Sequence, residues 1–119
     1  MVYLAGSLAL AVLEVLVHLN SREELDQYVA FPIQVDAKHV LTLDTAELPS
    51  DWRAAEPPAG MWALGDLWAA ERTSLGLCVP SAVLPQEKNY LINPRYPAVE
   101  SLDVGEGTKV ETDPRLLET

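Results

Sequence analysis

The stretch from Ser7 to Leu19 constrains this chain more than any other. Between Leu8 and Leu19 every residue is apolar except Glu14 and His18. Apolar side chains then cover nearly the whole circumference of a helix, and such a helix is expected to be buried on most sides. A short strand, Met1 to Ala5, precedes it, Gly6 turns the chain, and Ser7 is placed to cap the helix. Glu14 and His18 stand four apart and share a face, with Ser7 on the same stripe. A carboxylate in such a helix is costly unless it is paired, hydrogen-bonded or open to a cleft. Two explanations stand. One is a Glu14–His18 surface pair, contributing a few tenths of a kcal/mol. The other is a pocket carboxylate that stabilises positive charge, as cleavage of an N-glycosidic bond through an oxocarbenium-like transition state requires.

The same run is not expected to be a leader or a membrane span. No Lys or Arg precedes it, Glu14 interrupts it, and it falls short of the roughly 20 apolar residues that cross a bilayer. A core helix in a cytoplasmic protein is the expectation. The 119 residues, 49% of them hydrophobic, suit one domain, 1–119, with one core. A net charge of −10 disfavours direct nucleic-acid binding, because the surface repels phosphates. An anionic small ligand needs a local cation, for which Arg22, Arg53, Arg72, Lys88 and Arg95 are candidates; the alternative for each is a solvated surface group.

Further along, Asn20 to Asp26 reads as a loop, and Gln27 to Val35 as a strand that Pro32 confines to an edge or bulges. His39 to Leu43 reads as a strand, Thr45 to Leu48 as a helical turn ended by Pro49, and Asp51 to Pro58 as a loop anchored by Trp52. Met61 to Thr73 has helical spacing, Leu75 to Pro80 is a buried strand, Tyr90 to Asn93 another, and Thr108 to Thr112 the last. Strands and helices mix without regular βαβ alternation, which favours an α+β fold with a mixed, mostly antiparallel sheet and flanking helices.

No metal-ligand cluster is spelled out, since His18 and His39 lack a partner at ligand spacing. No phosphate-cradling glycine loop and no nucleophile elbow around Ser81 are present. The lone cysteine, Cys78, lies in an apolar run and reads as a buried, inert thiol. Ser81, Lys88, Asn89, Asn93 and Arg95 form a second polar group around a strand, which spacing alone explains as capped turns with satisfied amides before it explains it as a site. Trp52, Trp62 and Trp68 read as core rather than as cofactor stackers.

Several segments together resemble the RES domain family. Val2-Tyr3-Leu4-Ala5 followed by the Ser7 to Leu19 helix is similar to its signature helix, and Leu48-Pro49 with Trp52 to its Leu-Pro and Trp element. Gly65-Asp66 to Trp68 resembles its next helix. Val79-Pro80-Ser81-Ala82-Val83 and Glu87 to Pro94 resemble its second signature block, and Asp113-Pro114-Arg115-Leu116 its usual ending. The resemblance implies an α+β core related to ADP-ribosyltransferases. It also implies a bacterial toxin that breaks down NAD⁺ at the nicotinamide–ribose bond, by hydrolysis or phosphorolysis, with NAD⁺ as substrate and no cofactor. The implied partner is a neutralising antitoxin with an Xre-type helix-turn-helix domain.

The family's site tyrosine maps to Tyr3, its glutamate to Glu14 and its serine to Ser81; Asn89 and Asn93 match the later motif. Tyr3 would meet the nicotinamide riboside, Glu14 the ribose hydroxyls and the oxocarbenium charge, and Ser81 the ribose or a phosphate. Asn89 and Asn93 would shape the site or touch ligand. His18 is expected to be structural. Two departures accompany the match. The family's arginine lies in a segment before the tyrosine strand, where this sequence begins, which suggests an N-terminally truncated domain. Such a domain would expose sheet edge and apolar surface and either self-associate or be poorly stable, and one alternative is an inactive form that acts only by binding antitoxin or itself. The other departure is Tyr96, where the family usually has His.

Overall fold

The structure is a computed structural model and describes residues 2–19, 22–44, 46, 48, 50–53, 68–71 and 74–116. Its centre is a four-stranded sheet of β1 (Val2–Ala5), β4 (Val40–Thr42), β5 (Gly76–Pro80) and β6 (Lys88–Ile92), in the order β1-β6-β5-β4. Strands β1, β6 and β5 pair antiparallel, and β4 joins β5 in parallel. The mixed, mostly antiparallel sheet with helices beside it is the α+β arrangement expected.

Cross-strand register assigns the two faces of the sheet. Tyr3, Leu91 and Leu77 stand side by side, as do Ala5, Asn89 and Val79, and strand alternation puts both rows on one face. Leu77 and Leu91 are buried there against Trp68, with Leu43, Ala69 and Val79 packed around them. Residues 68–71 are helical, and this short segment lies on that face. The Trp68 indole donates to Ser74 Oγ at 2.9 Å, which in turn donates to the Gly76 carbonyl at 2.9 Å. Trp68 is thus core, as expected. Trp52 is half-buried in a turn, and Trp62 lies outside the described residues, as do most of the expected Met61 to Thr73 helix and most of the Thr45 to Pro49 turn.

Helix α1 (Leu8–Leu16) leaves the end of β1 through Gly6. The Gly6 amide donates to the Lys88 carbonyl at 2.9 Å, and a Cβ on Gly6 would sit 2.8 Å from that same oxygen, so the close approach of α1 to β6 excludes a side chain there. Ser7 caps α1 as its sequence predicts, its Oγ accepting from Leu10 N at 3.1 Å; such a cap contributes about 1 kcal/mol. The helix is shorter than expected because its end tightens. His18 N and Leu19 N bond to Val15 O and Leu16 O, three residues back.

Two further expectations are corrected. Helix α1 is not buried on most sides: Leu10 is at 2% exposure, but Leu8, Leu13 and Val17 are exposed. Leu8, Leu13 and Leu16 look onto a groove shared with Ala30 and residues 108–113, which leaves the helix partly open. Asn20 to Asp26 is not all loop, since Arg22–Leu25 forms a helical turn, α2, with Glu23 and Glu24 at its start and Leu25 buried. The acidic pair suits the positive end of the helix and Leu25 anchors it.

The Gln27 to Val35 segment is split where Pro32 cannot donate. Its halves are β2 (Val29–Ala30) and β3 (Ile33–Gln34). They pair antiparallel with β8 (Thr108–Lys109) and β7 (Asp103–Val104), respectively. The ribbon bounds a cavity of about 970 Å³ between the second face of the sheet and α1, lined by Leu4, Val12, Val15, Leu25, Cys78 and Tyr90 among others. Among the described residues no helix is long and apolar enough to cross a membrane.

Leu75 is fully buried, so Leu75→Ala is expected to lower unfolding free energy by about 2–5 kcal/mol. Val2→Ala, on the exposed edge, should stay within about 0.5 kcal/mol; urea midpoints of the two variants check this. Tyr90 lies opposite Cys78. Burial pushes its phenol up, and the Cys78 thiol adds to the shift. The folded state therefore favours protonated Tyr90. Its contribution is complete below the ordinary tyrosine pKa of about 10 and is lost as pH rises through the raised value. Thermal melts of Tyr90→Phe should decline less than wild type above about pH 10.

Candidate active site

The β5–β6 connection and the start of α1 meet at one end of the central sheet. Ser81 follows β5 directly and organises the loop back to β6. Its amide donates to Glu87 O at 2.9 Å, and its Oγ accepts from Val83 N at 3.2 Å and Leu84 N at 3.1 Å. The residue is completely buried. Asn89, second in β6, sits between Ala5 on β1 and Val79 on β5.

Glu14 reaches this end of the sheet from α1. Ser81 Oγ donates to Glu14 Oε1 at 2.5 Å, and Asn89 Nδ2 donates to the same oxygen at 2.7 Å. Hydrogen bonds to a carboxylate contribute roughly 1.5–3 kcal/mol each. Among the described residues Glu14 Oε2 takes no hydrogen bond. Asn89 Oδ1 is buried without a partner, at a cost of roughly 1–3 kcal/mol. The Glu14–His18 pair is not formed: His18 is exposed at the frayed end of α1, and the carboxylate turns to the sheet instead. Two donors on a half-buried oxygen outweigh one exposed pair with an imidazole.

Tyr3 lies on the same sheet face, opposite Leu91 and diagonal to Asn89, a spacing of about 7–8 Å. It is 65% exposed on the edge strand, and its hydroxyl takes no hydrogen bond among the described residues. An open ring and a free hydroxyl therefore stand on the edge strand, one diagonal position from the Asn89 that holds the carboxylate. Asn93 is not brought to Glu14. It stands four residues along from Asn89, about 13 Å for an extended strand, and is buried. Its Nδ2 donates to Ala69 O at 3.0 Å and its Oδ1 accepts from Arg95 N at 3.0 Å. It closes the turn toward half-buried Tyr96 and ties the helical segment to the sheet.

Among the described residues, Arg53, Lys88 and Arg95 do not gather at one point. Arg53 Nε donates to Ala82 O at 3.0 Å, next to Ser81, and Lys88 adjoins Asn89. Arg95 lies past the other end of β6, and Arg72 is outside the described residues. Arg53 was one of several cations in the sequence, with nothing in its spacing to single it out. Among the described residues no group of His, Cys, Asp and Glu is arranged to hold a metal ion, and Cys78 is buried. The large apolar cavity touches Tyr3 at its rim but not Glu14, Ser81 or Asn89.

Carboxylate, clamp and open tyrosine fall on the segments in which the sequence resembles a known family, and that family matches residues 1–113. The chain belongs to the RES domain family. It is 35% identical to "Toxin Res" of Yersinia enterocolitica over 116 residues, 97% of this chain and 76% of the relative. It is 42% identical to "Toxin Res" of Photorhabdus laumondii over 93 residues, 78% of this chain and 60% of the relative. With the "Prs ADP-ribosylating toxin" of a Sphingobium species it shares 37% identity over 122 aligned residues, 98% of this chain and 74% of that protein. As a RES domain it joins its two signature blocks through the β1–β6 pairing and through the hydrogen bonds of Glu14 on α1 to Ser81 and Asn89.

Ser81→Ala removes the acceptor of Val83 N and Leu84 N and a donor to Glu14, so a loss of about 1–3 kcal/mol is expected in chemical denaturation. Tyr3→Phe removes an exposed hydroxyl and should stay within about 0.5 kcal/mol of wild type.

Proposed function

We propose that this RES domain degrades NAD⁺ by cleaving the bond between nicotinamide and ribose, as a cytoplasmic toxin neutralised by an Xre-type helix-turn-helix antitoxin. The observation that carries the reading is Glu14, held through Oε1 by Ser81 and Asn89 with Oε2 left to accept. When the C1′–N1 bond breaks, its electron pair goes to the pyridinium nitrogen and nicotinamide leaves neutral. Positive charge develops on the ribose, and a fixed carboxylate there lowers the barrier. Water or phosphate then adds at C1′ and releases a proton, giving ADP-ribose or its 1-phosphate. Tyr3 supplies an exposed ring and hydroxyl for the nicotinamide riboside. Arg53, beside the Ser81 loop, gives the NAD⁺ diphosphate a cation on a chain of net charge −10.

The name of the Sphingobium relative supports chemistry at this same bond, because an ADP-ribosylating protein transfers ADP-ribose. A net charge of −10 suits a basic partner such as a DNA-binding antitoxin. A second reading, a domain that acts only by binding a protein, is favoured by the exposed Leu8, Leu13 and Val17 of α1.

Nicotinamide release from NAD⁺ by the purified chain, with and without phosphate, tests the reading. Glu14→Gln should release nicotinamide at least about 10²-fold more slowly, and a phosphate-dependent product would identify the acceptor. Equal release by the variant, or none by wild type, would leave the binding-only reading.

A further inference from the structure

We propose that Ser81 and Asn89 serve the reaction by positioning Glu14 and do not touch the substrate; this rests on the NAD⁺-cleaving reading above. A serine hydroxyl offers one donor and two acceptor positions. All three are filled in Ser81: the proton goes to Glu14 Oε1, and the lone pairs take Val83 N and Leu84 N. With no exposed surface, the hydroxyl cannot gain a bond to a ligand without breaking one it already makes.

Asn89 leads to the same conclusion by a different route. An ionised carboxylate only accepts, so the amide nitrogen has to face Glu14, and Oδ1 is left buried and unpartnered. An apolar side chain would leave no such orphan. What the position gains from an amide is the donor to Glu14.

The two donors converge on one oxygen, and that has a geometric effect. Rotation of a carboxylate about its Cγ–Cδ bond is broad and soft. Two bonds to Oε1 from separate elements stop it and leave Oε2 as the oxygen presented to substrate. A carboxylate already oriented in this way need not be reoriented as charge develops. Loss of either donor should therefore slow turnover and leave NAD⁺ affinity alone.

The experiment compares wild type with Ser81→Ala, Ser81→Thr and Asn89→Ala. It reads kcat, the NAD⁺ dissociation constant, and hydrogen exchange of the Asn89 side-chain amide by NMR. In Ser81→Ala and Asn89→Ala, kcat should fall on the order of 10²-fold, with the dissociation constant within about twofold. Ser81→Thr, which keeps the hydroxyl, should recover most of the rate. The Asn89 amide should exchange slowly in wild type and fast in Glu14→Ala. If Ser81→Ala fails to fold, Asn89→Ala carries the test. A dissociation constant that rises while kcat holds would show direct substrate contact and overturn the proposal, as would a freely exchanging Asn89 amide in wild type. If wild type releases no nicotinamide, the cleavage reading fails by itself. The clamp is then judged by exchange alone: protection lost in Glu14→Ala upholds it, and protection unchanged there overturns it.

Discussion

A carboxylate cannot lie among apolar side chains without donors or water, and Glu14 meets this requirement through the farthest reach of its chain. Its partners, Ser81 and Asn89, belong to the opposite half of the sequence. The two bonds therefore hold α1 across the end of the sheet, beside the β1–β6 pairing that joins the same two signature blocks. Much else follows from them. Gly6 has no side chain because α1 must start close against β6. Ser81 is buried because its hydroxyl serves the loop and the helix at once. Leu10, one turn before Glu14, becomes the buried anchor of α1.

The two faces of the sheet are used differently. One is closed by Trp68 over Leu77 and Leu91, and carries Tyr3 at its open edge. The other looks into a large apolar cavity with no acid–base group of the Glu14 cluster on its walls. Size alone would point to that cavity as the site. The chemistry points to the smaller cluster, where a carboxylate meets two oriented donors, Ser81 and Asn89. The cavity wall formed by α1 and the β2–β8 pairing stays apolar and partly exposed, which suits contact with protein better than with a charged dinucleotide.

The elements legible in the sequence were those whose signals are local. Strand β1, the Ser7 cap, the buried β5 and the short β6 each announce themselves by alternation, a hydroxyl before an apolar run, or a run of β-formers. Two elements were hidden for physical reasons. Arg22–Leu25 is too short and polar to show a period, and only the burial of Leu25 makes it a helix worth keeping. The Gln27 to Val35 strand is continuous as a pattern, but Pro32 divides it between two partners, β8 and β7, that lie far along the chain. Among the site residues, Glu14 stood out as a charge in an apolar run. Ser81 and Asn89 carried no signal of their own beyond the family resemblance, and Asn93, equally prominent in that motif, proves to close a turn.

By itself the sequence determined the fold class, the family, the start of α1 and the fact that Glu14 needs an explanation. Composition, periodicity and capping act over a few residues and are written in the order in which they occur. It left two partners open for Glu14, and His18, one turn away, was the simpler choice. Only the tertiary structure decided between them, because the competing donors come from a loop and a strand that backbone pairing alone brings to the helix. The exposure of α1 was settled in the same way. An apolar circumference states what a helix could bury, but whether it is covered depends on how closely its neighbours reach it, and here Leu8, Leu13 and Val17 stay exposed.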